Sequence, residues 1–221
     1  MDIRTRTRGA ALDGAVALAP MLLAYAPFAL VVGTAVARSG HPLAAWFGTS
    51  TIYGGAAHLA VLDVLAGGAG WLPAAAIGLL VNARLGAYAA AMAPQWRSAP
   101  LGLRVAAAVM LTDAPWALAQ RRPGDRVFYL GAAATLFVGW PAMVTAGMLA
   151  GDRLAAAPVT GLLPALTLGA VVVGRLRTGP VALAAAAAAV TALATAEMPA
   201  GAALPVCAVV GTVAATLGRR S

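Results

Sequence analysis

Runs of about twenty apolar residues recur along this chain, and their length constrains the fold more than any other feature. An α-helix needs about 20 apolar residues to cross the roughly 30 Å hydrocarbon core of a membrane. Short turn signals rich in Gly, Pro and Arg separate the runs. The candidate spans cover roughly residues 16–36, 43–66, 72–93, 101–119, 127–149, 158–174, 180–196 and 202–218. The sequence therefore predicts an all-α, polytopic membrane bundle of about eight transmembrane helices, or seven if the short, Ala-rich last two do not both span.

The composition agrees with a membrane protein. Hydrophobic residues make up 62% of the chain and charged residues only 10%, whereas a soluble domain averages about 25% charged residues. No linker divides the runs, so residues 1–221 are predicted to form a single transmembrane transporter domain. The net charge of +8 does not indicate nucleic-acid binding, because its cations are all Arg and are dispersed between apolar runs. One cysteine and two histidines are too few for a metal centre, and no cofactor is predicted.

The arginines predict an orientation, because cytoplasmic loops carry an excess of positive charge. With eight spans, ten arginines fall on the side of the N-terminus and four on the opposite side. The ten are Arg4, Arg6, Arg8, Arg121, Arg122, Arg126, Arg175, Arg177, Arg219 and Arg220, and the four are Arg38, Arg97, Arg104 and Arg153. This bias predicts a multi-pass protein of the plasma membrane with both termini in the cytoplasm.

Helix breakers occur in most of the predicted spans. They are Pro27, Gly54–Gly55, Pro115, Pro141, Pro164 and Pro205. Pro and Gly are common in membrane helices, but broken helices also free backbone groups to line a cavity, as in transporters. Both interpretations stay open. The first and fifth spans also resemble each other, in "PFALVVGTAVARSG" and "PAMVTAGMLAGDR", and in an eight-span count these two spans run parallel.

One helix break and two charged residues are predicted to lie near the middle of the membrane. At 1.5 Å per residue, Arg84 is roughly 14 Å from the outer edge, Gly54–Gly55 about 17 Å and Asp113 about 18 Å. An unpaired Arg at the centre of a spanning helix costs roughly 2.5–3.5 kcal/mol on insertion scales. We therefore expect Arg84 to face protein or water and to meet Asp113, either directly or through a shared water or substrate.

Other polar residues divide between faces of the predicted helices. In the second span, Thr51, Gly54 and His58 follow helical spacing and are predicted to share one face. In the third span, Gly78, Asn82 and Gly86 form a small-residue stripe that favours close helix approach, whereas Arg84 and Tyr88 share another face. Asn82 either makes an interhelical hydrogen bond or belongs, with Thr51 and Tyr88, to the candidate transport site. His58 is either a neutral side chain bonded to a neighbouring helix or part of a proton-linked path, and both alternatives stay open.

Three segments together resemble the AzlC family of branched-chain amino acid exporters in bacterial inner membranes. They are "STIYGGAAHLAVLDVLAGGA", "LLVNARLGAYAAAMAP" and "LTDAPWALA", in that order. The resemblance extends to about Gly174. It implies a separate partner, a small AzlD-like membrane subunit. The chain departs from the family pattern at His58, where Gln is usual, and at Ala114, where an acidic residue is usual.

The resemblance and the polar residues lead to one function and one alternative. The leading hypothesis is a permease exporting branched-chain or similar apolar amino acids, with the lipid bilayer as its environment. Arg84 or a broken-helix N-terminus would hold the substrate carboxylate, and Asp113 with freed carbonyls near Gly54–Gly55 would hold the ammonium. Proton coupling through Asp113 or His58 is left open by their ionisability. The alternative is a non-transporting subunit in which an Arg–Asp pair only joins helices. An enzyme is not expected, since no Ser–His pair lies at matched depth.

Overall fold

The computed structural model describes residues 3–155, 179–195 and 200–218, and every regular element in these ranges is an α-helix. The helices are α1 (Ile3–Arg38), α2 (Pro42–Thr51), α3 (Gly55–Ala66), α4 (Trp71–Trp96), α5 (Leu101–Val109), α6 (Asp113–Ala119), α7 (Arg126–Ala155), α8 (Gly179–Ala194) and α9 (Ala200–Leu217). Helices α8 and α9 pack on each other. The predicted span at 158–174 lies outside the described residues. The all-helical class is confirmed.

Helices α1 and α7 form the central pair and run parallel. Gly14 lies against the backbone of Phe128, and Gly33 lies against the backbone of Val144. Both contacts advance in the same direction along the two helices, which shows that the helices are parallel, as the eight-span count implied for these two segments. Small residues permit this approach because they let helix backbones pack closely. Buried apolar side chains fill the space around the pair, among them Leu18, Phe28, Val32, Val36, Leu136, Trp140 and Val144.

Helices α2 and α3 form a re-entrant pair that enters and leaves at the same end of the bundle. The His58 Nε2 atom lies 2.7 Å from the position that a Cβ on Gly48 would occupy. If α3 continued in the direction of α2, the ten residues between them would separate these two positions by about 15 Å along the axis. The chain therefore reverses direction between the two helices. Helix α4 then packs antiparallel to α3, with Gly78 against Val61.

The end of α4 lies beside the start of α7. Arg126 Nε and Nη2 donate to the Gln95 carbonyl at 2.8 and 2.6 Å, and Arg126 Nη2 also donates to Ser98 Oγ at 2.7 Å. Arg122 pairs with Asp13 of α1 at 2.9 Å. The start of α1, the end of α4 and the start of α7 therefore share one end of the bundle. We call it the arginine-rich end, defined by Arg8, Arg97, Arg104, Arg121, Arg122 and Arg126.

Helices α5 and α6 form a second re-entrant pair, from the opposite direction. Helix α5 begins shortly after Ser98, at the arginine-rich end, and α6 is followed directly by Arg121 and Arg122 of that same end. The two pairs thus enter the bundle from opposite ends. Their order repeats as well, since a long helix precedes each pair.

The predicted count of eight spanning helices is not confirmed. Among the described residues, three helices are long and apolar enough to cross a membrane: Arg8–Arg38, Trp71–Trp96 and Arg126–Gly151. The runs at 43–66 and 101–119 are the two re-entrant pairs. Hydropathy registers the length of an apolar run but not a reversal within it, which is why these runs resembled single spans. The placement of Arg97 and Arg104 opposite the N-terminus was therefore wrong.

Candidate functional site

The chain between α2 and α3 leaves helical geometry at Tyr53, whose φ is +44°. A positive φ is uncommon for residues other than glycine, and Gly54 follows in an extended conformation as the N-cap of α3. The Asn82 Nδ2 atom donates to the Ile52 carbonyl at 2.8 Å across this break. A Cβ on Gly54 would collide with Asn82 Oδ1. Asn82 therefore supplies the interhelical hydrogen bond that holds the break in place.

We expect Gly54→Ala and Asn82→Ala to destabilise the protein non-additively. Each change removes the hydrogen bond to the partly buried Ile52 carbonyl, and the full cost of leaving a buried group without its partner is about 1–3 kcal/mol. The double variant should therefore be less destabilised than the sum of the two single variants, by about 1 kcal/mol. Unfolding midpoints in detergent would measure this cycle. Gly86→Ala on the same helix α4 is the control, because nothing lies within 4 Å of its added Cβ. Strict additivity would contradict the proposed contact.

Arg84 and Asp113 form a salt bridge between α4 and the start of α6. Arg84 Nη2 lies 2.9 Å from Asp113 Oδ2, and the two side chains are 42% and 40% exposed. The Tyr88 hydroxyl donates to Asp113 Oδ1 at 3.0 Å, and the Tyr88 ring stacks on Trp116 with centroids 4.3 Å apart. Of the alternatives left open by the sequence, the structure shows a direct contact between Arg84 and Asp113. This contact gives the guanidinium a counter-ion at mid-helix, where an unpaired charge would be costly.

A cavity of about 110 Å³ lies beside this salt bridge. Its wall is formed by Tyr25, Phe28, Tyr53, Gly54, Gly55, Ala56, Arg84, Thr112, Leu136 and Trp140. Residues from α1, α4 and α7 and from both breaks therefore meet around one space. Gly55 fits flat against two rings, since a Cβ there would stand 2.6 Å from Phe28 and 2.7 Å from Trp140.

The cavity wall is apolar over most of its surface but holds several hydrogen-bond donors. The N-terminus of α3 carries no side-chain cap, so its first backbone N–H groups and the positive end of its dipole face this region. Arg84 adds a guanidinium. The Tyr53 hydroxyl and Thr112 Oγ1 are buried and have no hydrogen-bond partner among the described residues. Such an arrangement is suited to an anionic or hydrogen-bond-accepting group.

The predicted site residues divide into three groups in the structure. Arg84, Gly54 and Gly55 line the cavity, and Asp113, Tyr88 and Asn82 contact lining residues or the break without belonging to the wall. Thr51 and His58 lie apart from it. Thr51 is exposed and donates to the Phe47 carbonyl at 3.0 Å, whereas His58 is 1% exposed and packs on Gly48.

The prediction that Thr51 shares one helical face with Gly54 and His58 was wrong, although His58 keeps its helical spacing to Gly54, whose carbonyl accepts the His58 N–H. That prediction assumed one continuous helix, but α2 ends at Thr51 and α3 begins at Gly55. Helical spacing does not apply across a reversal.

Sequence reasoning missed most of the apolar wall. The missed residues are Tyr25, Phe28, Tyr53, Ala56, Thr112, Leu136 and Trp140. A partial signal was present, because Phe28 follows Pro27 and Trp140 precedes Pro141. Within the described ranges, no group of three or more His, Cys, Asp or Glu side chains could hold a metal ion.

Comparisons with known proteins give one finding. A family model described as AzlC protein matches residues 20–154. The match covers more than half of the chain and includes the whole cavity wall. No curated protein and no solved structure matches the chain.

Proposed function

The chain belongs to the AzlC family, which is associated with membrane transport. We propose that it is a permease subunit that exports branched-chain or similar apolar amino acids. The observation that carries the proposal is the cavity at the meeting point of two re-entrant helix pairs that enter from opposite ends. Irregular backbone at membrane depth is tolerated where it lines a cavity, and transporters place their substrate sites there.

The chemistry of the wall suits an apolar amino acid. Arg84 and the uncapped α3 N-terminus would hold the carboxylate, because helix N-termini and guanidinium groups both bind carboxylates. Phe28, Leu136 and Trp140 would surround the side chain, since pockets for small molecules are mostly apolar with a few placed polar groups. In this proposal Asp113 orients Arg84 and does not itself touch the substrate.

We place the arginine-rich end in the cytoplasm of a bacterium, with the protein in the inner membrane. Of the arginines in residues 1–155, eight are at this end, two are at the other, and Arg84 lies between them. The eight are Arg4, Arg6, Arg8, Arg97, Arg104, Arg121, Arg122 and Arg126, and the two are Arg38 and Arg153. Over the same residues the eight-span count gives six arginines on one side and four on the other, so the bias in the structure is stronger, and it follows the positive-inside rule.

A separate AzlD-like membrane subunit belongs to the proposal as the partner. Helix α4 offers apolar surface for lipid or for such a subunit, with Leu79 and Leu80 76% and 53% exposed. No cofactor is proposed. Coupling to protons through Asp113 or His58 would make export depend on pH, and vesicles with an imposed pH gradient would reveal it.

The alternative is a non-transporting structural or assembly subunit. One observation favours it: both carboxylate oxygens of Asp113 are already occupied, one by Arg84 and the other by Tyr88. Such a closed contact joins α4 to α6 and would hold the bundle together without a substrate. The two functions differ in one requirement. Transport needs the positive charge at position 84, whereas a structural contact needs only a pair of opposite charges at positions 84 and 113.

Cells that express the chain with its partner subunit are expected to accumulate less intracellular leucine, valine and isoleucine when fed dipeptides of these amino acids. An exporter lowers the intracellular level, so we expect a clear reduction for each of the three amino acids. The measurement is the intracellular amino acid content over time. Alanine dipeptides are the control cargo. Equal accumulation with and without the chain, at verified expression, would contradict the proposed transport.

A further inference from the structure

We propose that the cavity recognises a carboxylate and a branched apolar tail but no ammonium group, so that it also takes branched-chain monocarboxylates without an amino group. The inference rests on the proposed function in that it concerns the same cavity. It extends the substrate class from amino acids to carboxylic acids of the same carbon skeleton.

The donors around the cavity are arranged for an anion. Helix α3 has 12 residues, Gly54 at its N-cap makes no side-chain hydrogen bond, and the wall includes Gly54, Gly55 and Ala56. The backbone N–H groups of the first helical turn therefore have no capping side chain. Arg84 uses one nitrogen, Nη2, for Asp113, and a guanidinium has five N–H donors in a planar fork. Its remaining donors are available to a second carboxylate.

Two hydroxyl groups give an independent indication of a ligand. Tyr53 is 6% exposed and its hydroxyl has no partner in the part of the chain that the structure describes. The Thr112 Oγ1 atom is also buried and also has no hydrogen-bond partner among the described residues. Both residues form part of the cavity wall. Buried hydroxyl groups normally find a partner, and a bound carboxylate would supply acceptors for both.

The charged acceptor nearest the cavity and two backbone carbonyls beside it are already engaged, and the acceptors without a partner among the described residues, Asn82 Oδ1 and the Tyr53 and Thr112 hydroxyl oxygens, are uncharged. No carboxylate is among the ten residues of the wall, and the nearby Asp113 accepts from Arg84 and Tyr88. The Gly54 carbonyl accepts the His58 N–H at 2.7 Å, and the Ile52 carbonyl accepts Asn82 at 2.8 Å. The wall therefore offers a carboxylate the charged Arg84 guanidinium and helix N–H groups, whereas it offers an ammonium no anionic group, only uncharged oxygen atoms and the faces of its aromatic rings. The ring faces attract a cation weakly where the site is exposed.

The test compares three probes that share one branched tail. They are leucine, 4-methylpentanoate, which lacks the amino group, and 3-methylbutan-1-amine, which lacks the carboxylate. Each is titrated separately into the purified full-length chain in detergent near pH 7.5, by calorimetry and by thermal shift. Direct binding avoids the passive leakage of weak acids through vesicles. We expect leucine and 4-methylpentanoate to bind within about threefold of each other and the amine to bind at least about tenfold more weakly.

Variants connect the result to the named residues. Arg84→Gln should weaken both carboxylates by at least about tenfold. Tyr53→Phe and Thr112→Val remove only the unpartnered hydroxyl groups, so they should weaken both carboxylates by about threefold to tenfold without lowering the unfolding midpoint. The matched control is Arg104→Gln, since Arg104 is exposed on α5 and outside the wall. It should leave all three affinities unchanged.

The outcomes separate this inference from the proposed function. If leucine binds and 4-methylpentanoate binds at least about tenfold more weakly, the ammonium is recognised and the inference is overturned while amino acid export stands. If only 4-methylpentanoate binds, the inference is supported and the proposal that the chain transports amino acids is contradicted. If the amine binds as well as leucine, or if neither carboxylate binds, the inference is overturned, and the dipeptide assay decides the function by itself.

Discussion

Arg84→Gln is expected to lower leucine efflux by at least about tenfold while the protein still inserts into the membrane. The variant keeps a polar, though shorter, side chain but loses the charge that would meet the substrate carboxylate. A hydrogen bond to a charged group contributes about 1.5–3 kcal/mol, which corresponds to roughly tenfold or more in binding. Asp113→Asn should lower efflux similarly, because it releases the guanidinium that Asp113 holds at 2.9 Å.

Efflux from preloaded cells at matched membrane abundance is the measurement for these two variants. Arg104→Gln is the matched control, since it removes an exposed arginine at the arginine-rich end. A third chain carries the swap Arg84→Asp with Asp113→Arg. If this chain recovered both folding and efflux, the pair would be structural and the alternative function would be favoured. Unchanged efflux in Arg84→Gln and in Asp113→Asn would contradict the proposed site.

Gly14→Ala and Gly131→Ala should each lower the unfolding midpoint by about 2–12 °C. The added Cβ on Gly14 would collide with the carbonyl oxygen of Phe128, and the Cβ on Gly131 would collide with that of Ala11. The backbone of a packed helix cannot relieve such a clash, whereas a flexible side chain could do so by changing its rotamer. Overpacking costs about 1–3 kcal/mol, and 1 kcal/mol moves the midpoint by about 2–4 °C in a chain of this size.

Gly9→Ala on the same helix is the control, because nothing lies within 4 Å of its added Cβ. Ala is favoured over Gly within a helix by about 0.5–1 kcal/mol, so this variant should unfold at the same or a slightly higher temperature. Thermal unfolding in one detergent would compare all three variants. Equal midpoints for Gly9→Ala and Gly14→Ala would show that α1 and α7 do not approach each other in the way described.

The salt bridge between Arg84 and Asp113 was predictable, because counting residues from the end of an apolar run gives the position of each charge along its helix. Arg84 and Asp113 are at similar distances from the ends of adjacent apolar runs, and a cation in the middle of a membrane-spanning helix needs a counter-ion. The breaks at Gly54–Gly55 and beside Pro115 were also predicted, since Gly and Pro weaken helices at any depth. Helical spacing correctly separated Asn82 from Arg84 on α4.

The aromatic wall could not be predicted in the same way. Phe28, Tyr53 and Trp140 are far apart in the sequence, and each alone is an ordinary apolar residue of a membrane helix. They meet only because α1 and α7 pack in parallel and α3 inserts against both. The separation of His58 from the cavity likewise depends on the reversal of the chain at Tyr53 and Gly54. The spacing of apolar residues in the sequence does not indicate such a reversal.

The sequence by itself determined the helical class, the family and the matching positions of Arg84 and Asp113 in adjacent apolar runs, because apolar length, composition and position along a helix are local properties. Only the tertiary structure decided the direction of each half-helix and therefore which end holds Arg97 and Arg104. An apolar run of 24 residues has the same hydropathy whether it crosses the membrane or turns back at its middle. The choice rests on contacts between distant segments, such as His58 with Gly48 and Arg126 with Gln95, and those contacts exist only in the folded chain.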